Sequence, residues 1–284
     1  MNAVTVAKLK YILPSLRTLN SEALSRELDM LSSGVDVMAF YKTLMAFYKT
    51  LNHALNIKRK NVLFLGAPGS GKGTYSRIIS PVLNLPVFGS GDYMKQEMAK
   101  GTEFGKAVKP YVDSGRLVPD DIVLPVVSKI LAQPIYKSGV ILDGFPRNEV
   151  QALAVEKSIP VDLAVYFHLP HDVLVEKLMG RRVCPHCGRS YNVASIMNNG
   201  FNLPPLLPKE NNRCDDCHEE LIQRSDDNLE VIENRLAVFE RQTKPLLDFF
   251  GPKGKNVLKQ FDIKTGVADV PDILKLMLSF FISS

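Results

Sequence analysis

Hydrophobic and polar positions alternate between two rhythms along this chain. Short apolar runs at 61–65, 85–88, 139–142, 163–168 and 257–261 are too short for helices and have no polar face. Such runs suit strands buried on both sides of a parallel sheet. Between them, stretches near 72–84, 119–132, 171–180, 226–249 and 267–281 carry apolar residues at helical spacing. Strand and helix in turn predict an α/β fold with helices flanking a five-stranded parallel sheet. Ahead of this, "SEALSRELDMLSSG" places Leu24, Leu28 and Leu31 at helical spacing before Gly34. "MAFYKTL" then occurs at 38–44 and again at 45–51, which leaves Tyr41, Leu44, Tyr48, Leu51 and Leu55 on one stripe. Two readings of that stripe stand: a helical pair packed on the main body, or a helix that docks a protein partner or a membrane surface.

Composition narrows the class. The 284 residues are 45% hydrophobic and 23% charged, enough for a sizeable core. No uninterrupted apolar run reaches the ~18 residues a membrane span needs. A net charge of +5 suits an anionic small ligand and does not by itself exclude nucleic acid. The first 21 residues carry Lys8, Lys10 and Arg17 and no acid, a weakly transit-like pattern. The location expected is therefore intracellular, in the cytoplasm or a mitochondrion.

The apolar run at 61–65 opens into "GAPGSGKGT", where Gly66 through Lys72 fit G-x-x-x-x-G-K. Glycines let backbone N–H groups turn inward around a phosphate at the positive end of the next helix. Lys72 adds a point charge for the outer phosphates. The hydroxyl that usually follows the lysine is replaced by Gly73, with Thr74 one place later.

Three further stretches follow in order: "GSGDYMKQEMAKGTEFGKAVKPYVDSGRLVPDDIV" (89–123), "GVILDGFPRNEVQA" (139–152) and "EKLMGRRV" (176–183). With the phosphate loop they resemble the adenylate kinase family of nucleoside monophosphate kinases, over about residues 60–280. The resemblance implies a P-loop core at 58–89, 119–181 and 224–284, an acceptor-binding insert at 90–118, and a lid at 182–223. It leaves 1–57 as a helical extension. It also implies transfer of the terminal phosphoryl of Mg-ATP, or another NTP, to AMP, giving ADP, by a monomer that does not bind nucleic acid.

Such a transfer rests on positioning and charge neutralisation, because the acceptor is already an anionic phosphate. By resemblance, Arg147 takes the acceptor phosphate, while Arg181, Arg224 and Arg235 gather the transferring group. Arginine suits this work because its planar fork holds two oxygens at once. Asp143 takes the place from which a carboxylate holds Mg²⁺ through water. Asp226 and Asp227 orient the arginines, and Gln151 reads the acceptor's adenine edge. Gly66, Gly69, Ser70, Gly71, Lys72, Gly73, Thr74, Ser90, Val118 and Gly144 complete the nucleotide contacts. Two positions depart from the family pattern: Lys95 in "GDYMK" and Lys177 in "EKLMGR" stand where arginines are usual. Each exchange keeps the charge and loses the fork, at roughly 1–2 kcal/mol. Two further readings therefore stay open: a GTP-preferring AMP phosphotransferase, and a weakened homologue acting as a nucleotide-dependent binding module.

The chain's four cysteines form two Cys-x₂-Cys pairs, Cys184 with Cys187 and Cys214 with Cys217, with 26 residues between. Two such knuckles supply the four corners of a zinc tetrahedron. Their place between "GRRV" and "QRSDDN" marks a structural zinc that staples the lid, with "MNNGFNLPPLLPKENN" as a loop insertion. His186 or His218 in place of one ligand, redox disulfides or free thiols, and a nucleic-acid-binding ribbon are the alternatives.

Overall fold

The computed structural model describes residues 60–283. The predicted N-terminal extension, with its tandem repeat, lies outside the described residues. The chain opens with β1 (Lys60–Leu65) and α1 (Lys72–Leu83), then β2 (Val87–Gly89), α2 (Ser90–Ala99) and α3 (Glu103–Asp113). It continues through α4 (Asp120–Leu131), β3 (Gly139–Asp143), α5 (Glu149–Ser158), β4 (Leu163–His168) and α6 (His171–Met179). A small hairpin follows, β5 (Arg181–Val183) with β6 (Ser190–Asn192). The last elements are α7 (Leu229–Val238), α8 (Leu246–Phe250), β7 (Leu258–Asp262) and α9 (Val270–Ser283). None of the described helices is long and apolar enough to cross a membrane.

Five strands form one parallel sheet in the order β2-β3-β1-β4-β7, as the apolar runs predict. Val62, Leu63, Val140, Ile141, Leu142, Leu163, Ala164 and Val165 are fully buried, which is why these strands read as unbroken apolar runs. The chain leaves β1 toward β2 on one side and later reaches β4 on the other. That reversal opens a crevice at the carboxyl end of β1, the place where sheets of this kind bind ligands. Gly66 stands at its mouth with φ 149°, and a Cβ there would lie 2.7 Å from the Phe167 carbonyl oxygen. Only glycine lets the backbone turn so close to β4.

Two helical expectations are corrected. The stretch 226–249 is not one regular α-helix: α7 spans only Leu229–Val238, a π-helical segment follows at Phe239–Thr243, and α8 begins after Pro245. Helix α5 was not expected at all. Two of its apolar residues, Val150 and Leu153, are exposed, so no single stripe marks it. The short strand expected at 85–88 is displaced to Val87–Gly89.

The two excursions from the sheet differ in kind. Residues 90–118 form a helical pair that packs into the main core through Met94 and Val108. The second excursion, 181–223, has a core of its own made only of Cys184, Tyr191, Cys214 and Leu221, with Cys187 and Cys217 beside it. Val183 bridges to Ile222, so the hairpin closes on its own return strand. The predicted loop insertion is pinned at Asn202, Leu203 and Leu206. Asn192 bridges Leu206, Ile196 bridges Leu203, and the Asn202 amide donates to the Lys264 carbonyl at 2.8 Å. Ile196 and Leu203 are 2% and 3% exposed and join the main core.

Candidate active site

Between β1, α1, the helical pair and the hairpin lies a cavity of about 320 Å³. Its wall is the phosphate loop. Gly69 and Gly71 adopt φ 88° and 86°, and the Ser70 amide donates to the Ala67 carbonyl at 3.2 Å. Lys72 curls back over this loop and donates to the carbonyls of Gly66 at 2.7 Å and Ala67 at 2.9 Å. Burial lowers its pKa to about 8; Asp143 opposes that fall, while Arg147, Arg235 and Arg181 add to it. Asp143 ends β3 in register with Phe64 of β1, beside Gly73. Burial raises its pKa to about 6 against the pull of Lys72.

Every predicted nucleotide residue lines this cavity except Ser70. Ser70 is 0% exposed and stands behind Lys72, with its hydroxyl 3.4 Å from Nζ. The cations come from five places. Lys72 is on α1, Lys95 on α2, Arg147 before α5, Lys177 and Arg181 around the end of α6, and Arg224 and Arg235 at either side of the start of α7. With Arg116, which the motifs did not single out, eight cationic side chains line the cavity against three acids, Asp92, Asp143 and Asp226. Burial also drives Lys95 down to about 8 and Arg235 to about 10. Cations crowded into a poorly solvated space are destabilised until anions enter, so the cavity suits an anionic ligand.

Three acids set where most of these cations stand. Asp227, its side chain fully buried, accepts from Arg181 Nε at 2.8 Å and lies 3.6 Å from Arg235. Asp226 accepts from Arg235 at 2.8 Å and from Lys95 at 3.0 Å. Arg224 lies 3.5 Å from Asp92, on the insert. Arg147 instead uses the Gly144 carbonyl, 2.7 Å from its Nε. Its backbone carbonyl accepts from Thr243 at 2.8 Å, a contact with no signal in the motifs. Lys177 faces the cavity, and burial lowers its pKa while Asp269 opposes the fall. Val118 is buried in the wall, and the Ser90 hydroxyl donates to the Gly144 carbonyl at 2.6 Å. Gln151 is buried too. Its carboxamide accepts from the Arg147 amide at 2.8 Å and donates to Asp120 at 2.8 Å.

The cysteines converge as their spacing predicts. All four are free thiols, and their sulfurs lie within 4.8 Å of one another. Cys184 and Cys217 are 3.3 Å apart, and Cys187 and Cys214 are 3.5 Å apart. Zinc–thiolate bonds of ~2.3 Å place sulfurs at about this separation around a tetrahedron, so the set fits zinc. Neither His186 nor His218 belongs to the cluster. Tyr191 backs it, with its hydroxyl 3.7 Å from Cys214 Sγ and the Arg189 guanidinium 5.3 Å from its ring centroid. One contact that the sequence reading missed ties this knuckle to α1. Arg77 pairs with Asp216 at 3.1 Å and donates to the Cys187 carbonyl at 3.0 Å.

Comparison with known proteins agrees with this geometry. A family model described as adenylate kinase matches residues 64–255. The adenylate kinase of Thermodesulfovibrio yellowstonii is 43% identical over 198 residues, 68% of this chain and 87% of the relative. That of Archaeoglobus fulgidus is 37% identical over 220 residues, 76% and 94% of the two chains. A GTP:AMP phosphotransferase of Plasmodium falciparum is 35% identical over 223 residues, 77% and 96% of the two. Matches spanning this much of both chains make the chain a member of the adenylate kinase family.

Proposed function

We propose that the protein reversibly transfers the terminal phosphoryl of a nucleoside triphosphate, ATP in the first instance, to AMP, giving ADP. The observation that carries this reading is the convergence of Lys72, Arg147, Arg181, Arg224 and Arg235 on one cavity above the phosphate loop. In-line transfer between two phosphates requires cations around equatorial oxygens and little covalent help. Lys72 and the loop amides hold the donor's outer phosphates. Arg147 holds the acceptor phosphate, while Arg181, Arg224 and Arg235 collect the charge that spreads over the moving group. Asp226 and Asp227 keep the Arg235 and Arg181 forks aimed before substrate arrives, which lowers the reorganisation cost at the moment of transfer. The cover of 181–223 and 90–118 excludes water, which would otherwise take the phosphoryl group.

The family works with Mg²⁺ on the nucleotide, and hard oxygen donors suit that ion. Asp143 and Thr74, both on the cavity wall beside Lys72, are the residues that would hold it. Mg²⁺ supplies charge neutralisation on the donor phosphates; the chain's own residues supply the positioning. Zinc, held by Cys184, Cys187, Cys214 and Cys217, has a structural role: four thiolates leave no open coordination position. On this reading 90–118 is the acceptor insert and 182–223 the lid, and the protein works as a monomer in the cytoplasm or mitochondrion. For residues 1–57, where no catalytic motif falls, the two readings of the sequence remain: packing on the main body, or docking of a protein partner or a membrane surface.

A second reading, GTP as donor, is favoured by the relative named GTP:AMP phosphotransferase and by Lys177 where an arginine is usual. A coupled assay of ATP, GTP and ITP against AMP, GMP, CMP and UMP decides between them. ADP formation from ATP and AMP supports the first reading. Turnover confined to GTP with AMP supports the second, and absence of turnover in every pair contradicts both.

A further inference from the structure

Gln151 is 2% exposed and yet lines the cavity, so only a narrow edge of its carboxamide can meet a ligand. That edge has a fixed order. The Arg147 backbone N–H can only donate, so the atom it meets at 2.8 Å is the carboxamide oxygen. The Asp120 carboxylate accepts at 2.8 Å, so the atom facing it is the carboxamide nitrogen. A carboxamide has two acceptor sites on oxygen and two N–H donors on nitrogen. One of each is consumed, and one of each remains, in a fixed sequence across the group.

Asp120 is itself held in place. It stands at the first position of α4 and accepts from Asn148 Nδ2 at 3.0 Å through Oδ1 and at 3.3 Å through Oδ2. Asn148 caps α5 through its side-chain oxygen, which accepts from the Gln151 amide at 2.8 Å. Gln151 is therefore gripped at its backbone by Asn148 and at its side chain by Asp120, and Asp120 and Asn148 grip one another.

We infer that Asp120 is the positioning residue that sets the base preference of the acceptor site, by holding the Gln151 carboxamide in one of its two orientations. The inference rests on the reading that an aminopurine monophosphate is the acceptor. Adenine offers an amino donor at position 6 beside a ring-nitrogen acceptor at position 1. Hypoxanthine and guanine reverse both, with a keto oxygen at 6 and an N–H at 1. The held order, oxygen then N–H, meets adenine with two complementary pairs and meets the 6-keto purines with two clashes. A carboxamide free to rotate by 180° would accept either. Asp120 opposes that rotation because a rotated Gln151 would aim its oxygen at a carboxylate. The Arg147 backbone N–H opposes it from the other side.

The test compares kcat/KM for AMP and for IMP in the full chain, with ATP as donor. IMP matches AMP in size and differs at positions 6 and 1 alone. Asp120→Asn keeps the shape and provides a group that donates as well as accepts, so it tolerates either orientation of Gln151. The AMP/IMP ratio should fall roughly tenfold to a hundredfold, since one charged hydrogen bond no longer enforces the order. The KM for ATP should stay within about twofold, because Asp120 lies outside the donor's phosphate contacts. Asp121→Asn removes the same charge from the same helix turn, touches nothing at Gln151, and should leave the ratio as it was. Should Asp120→Asn fail to fold, Asp120→Ser gives the same answer, because its hydroxyl also donates and accepts. An unchanged AMP/IMP ratio in Asp120→Asn or Asp120→Ser, even with both substrates weakened equally, overturns the inference; so does an unchanged ratio in Gln151→Leu. Lack of AMP turnover in the unaltered protein would instead overturn the acceptor reading on which this one stands.

Discussion

The ammonium of Lys95 lies 3.0 Å from the carboxylate of Asp226, joining a helix of the insert to a loop 131 residues further along the chain. Asp226 also holds Arg235 at 2.8 Å, so one carboxylate serves two cations of the cavity wall. Its side chain is 8% exposed, and theirs are 29% and 19%. Replacing it by asparagine leaves both cations in a site already rich in positive charge. Removal of one partner from a buried pair costs about 3–5 kcal/mol, and the partial exposure of the cations places this case near the lower end. Asp226→Asn should therefore lower the chemical-denaturation midpoint in the unliganded protein, and bound nucleotide should recover part of the loss. A variant as stable as the parent in nucleotide-free buffer would show that the pair does not hold the wall.

The same lysine gives the site a pH response. Burial, then Arg224, lowers the Lys95 pKa to about 8, with Asp226 opposing. Free enzyme therefore loses this charge as the pH rises through 8, whereas an AMP phosphate stabilises the protonated form. AMP affinity should weaken above about pH 8, with proton uptake on binding. The sign for folding is the reverse. Between about 8 and the ordinary lysine value near 10.5 the unfolded chain binds more protons at this position, so Lys95 alone makes stability rise with pH there. Lys95→Arg keeps its charge throughout and should remove the fall in AMP affinity above pH 8 while lowering the KM for AMP. Calorimetric titration at pH 7.0, 8.0 and 9.0 measures both; parallel curves for the two proteins would exclude Lys95 as the group responsible.

Much of this site was legible because phosphate chemistry restricts residue types at fixed spacings. The phosphate loop and the arginines at 147, 181, 224 and 235 each sit in a recognisable phrase, and the structure brings them to one cavity. What stayed hidden are groups whose work depends on a distant partner. Asp120 reads as one of two acids at a helix start until Gln151, 31 residues on, meets it. Arg77 reads as a solvated helix residue until Asp216, 139 residues on, reaches it. Helix α5 escaped because its apolar residues fall on more than one face. The π-helical segment at Phe239–Thr243 escaped because apolar spacing continues through it, although Pro245 marks where α8 starts.

The knuckle makes a prediction about metal. Its own core is four residues, too small to hold the fold of 181–223 without a further constraint. Purified, reduced protein should contain one zinc per chain, lost on acidification or with a strong chelator because thiolates bind as anions. Cys214→Ser with Cys217→Ser should lower turnover more than ATP affinity, since Lys72 keeps its place on the sheet while Arg181 and Arg224 are no longer delivered together. Stoichiometric absence of metal, or unchanged turnover and melting temperature in the double variant, would rule the staple out.

The central claim is that this cavity moves a phosphoryl group from ATP to AMP under the charge of Lys72. One measurement tests it most directly: ADP formation from ATP and AMP by the parent protein and by Lys72→Ala, each shown to be folded by its melting curve. The parent should turn over, and Lys72→Ala should be slower by at least about a hundredfold, because a cation on the transferring phosphate is gone. Near-parental turnover in Lys72→Ala, or none in the parent with any nucleotide pair, would contradict the account.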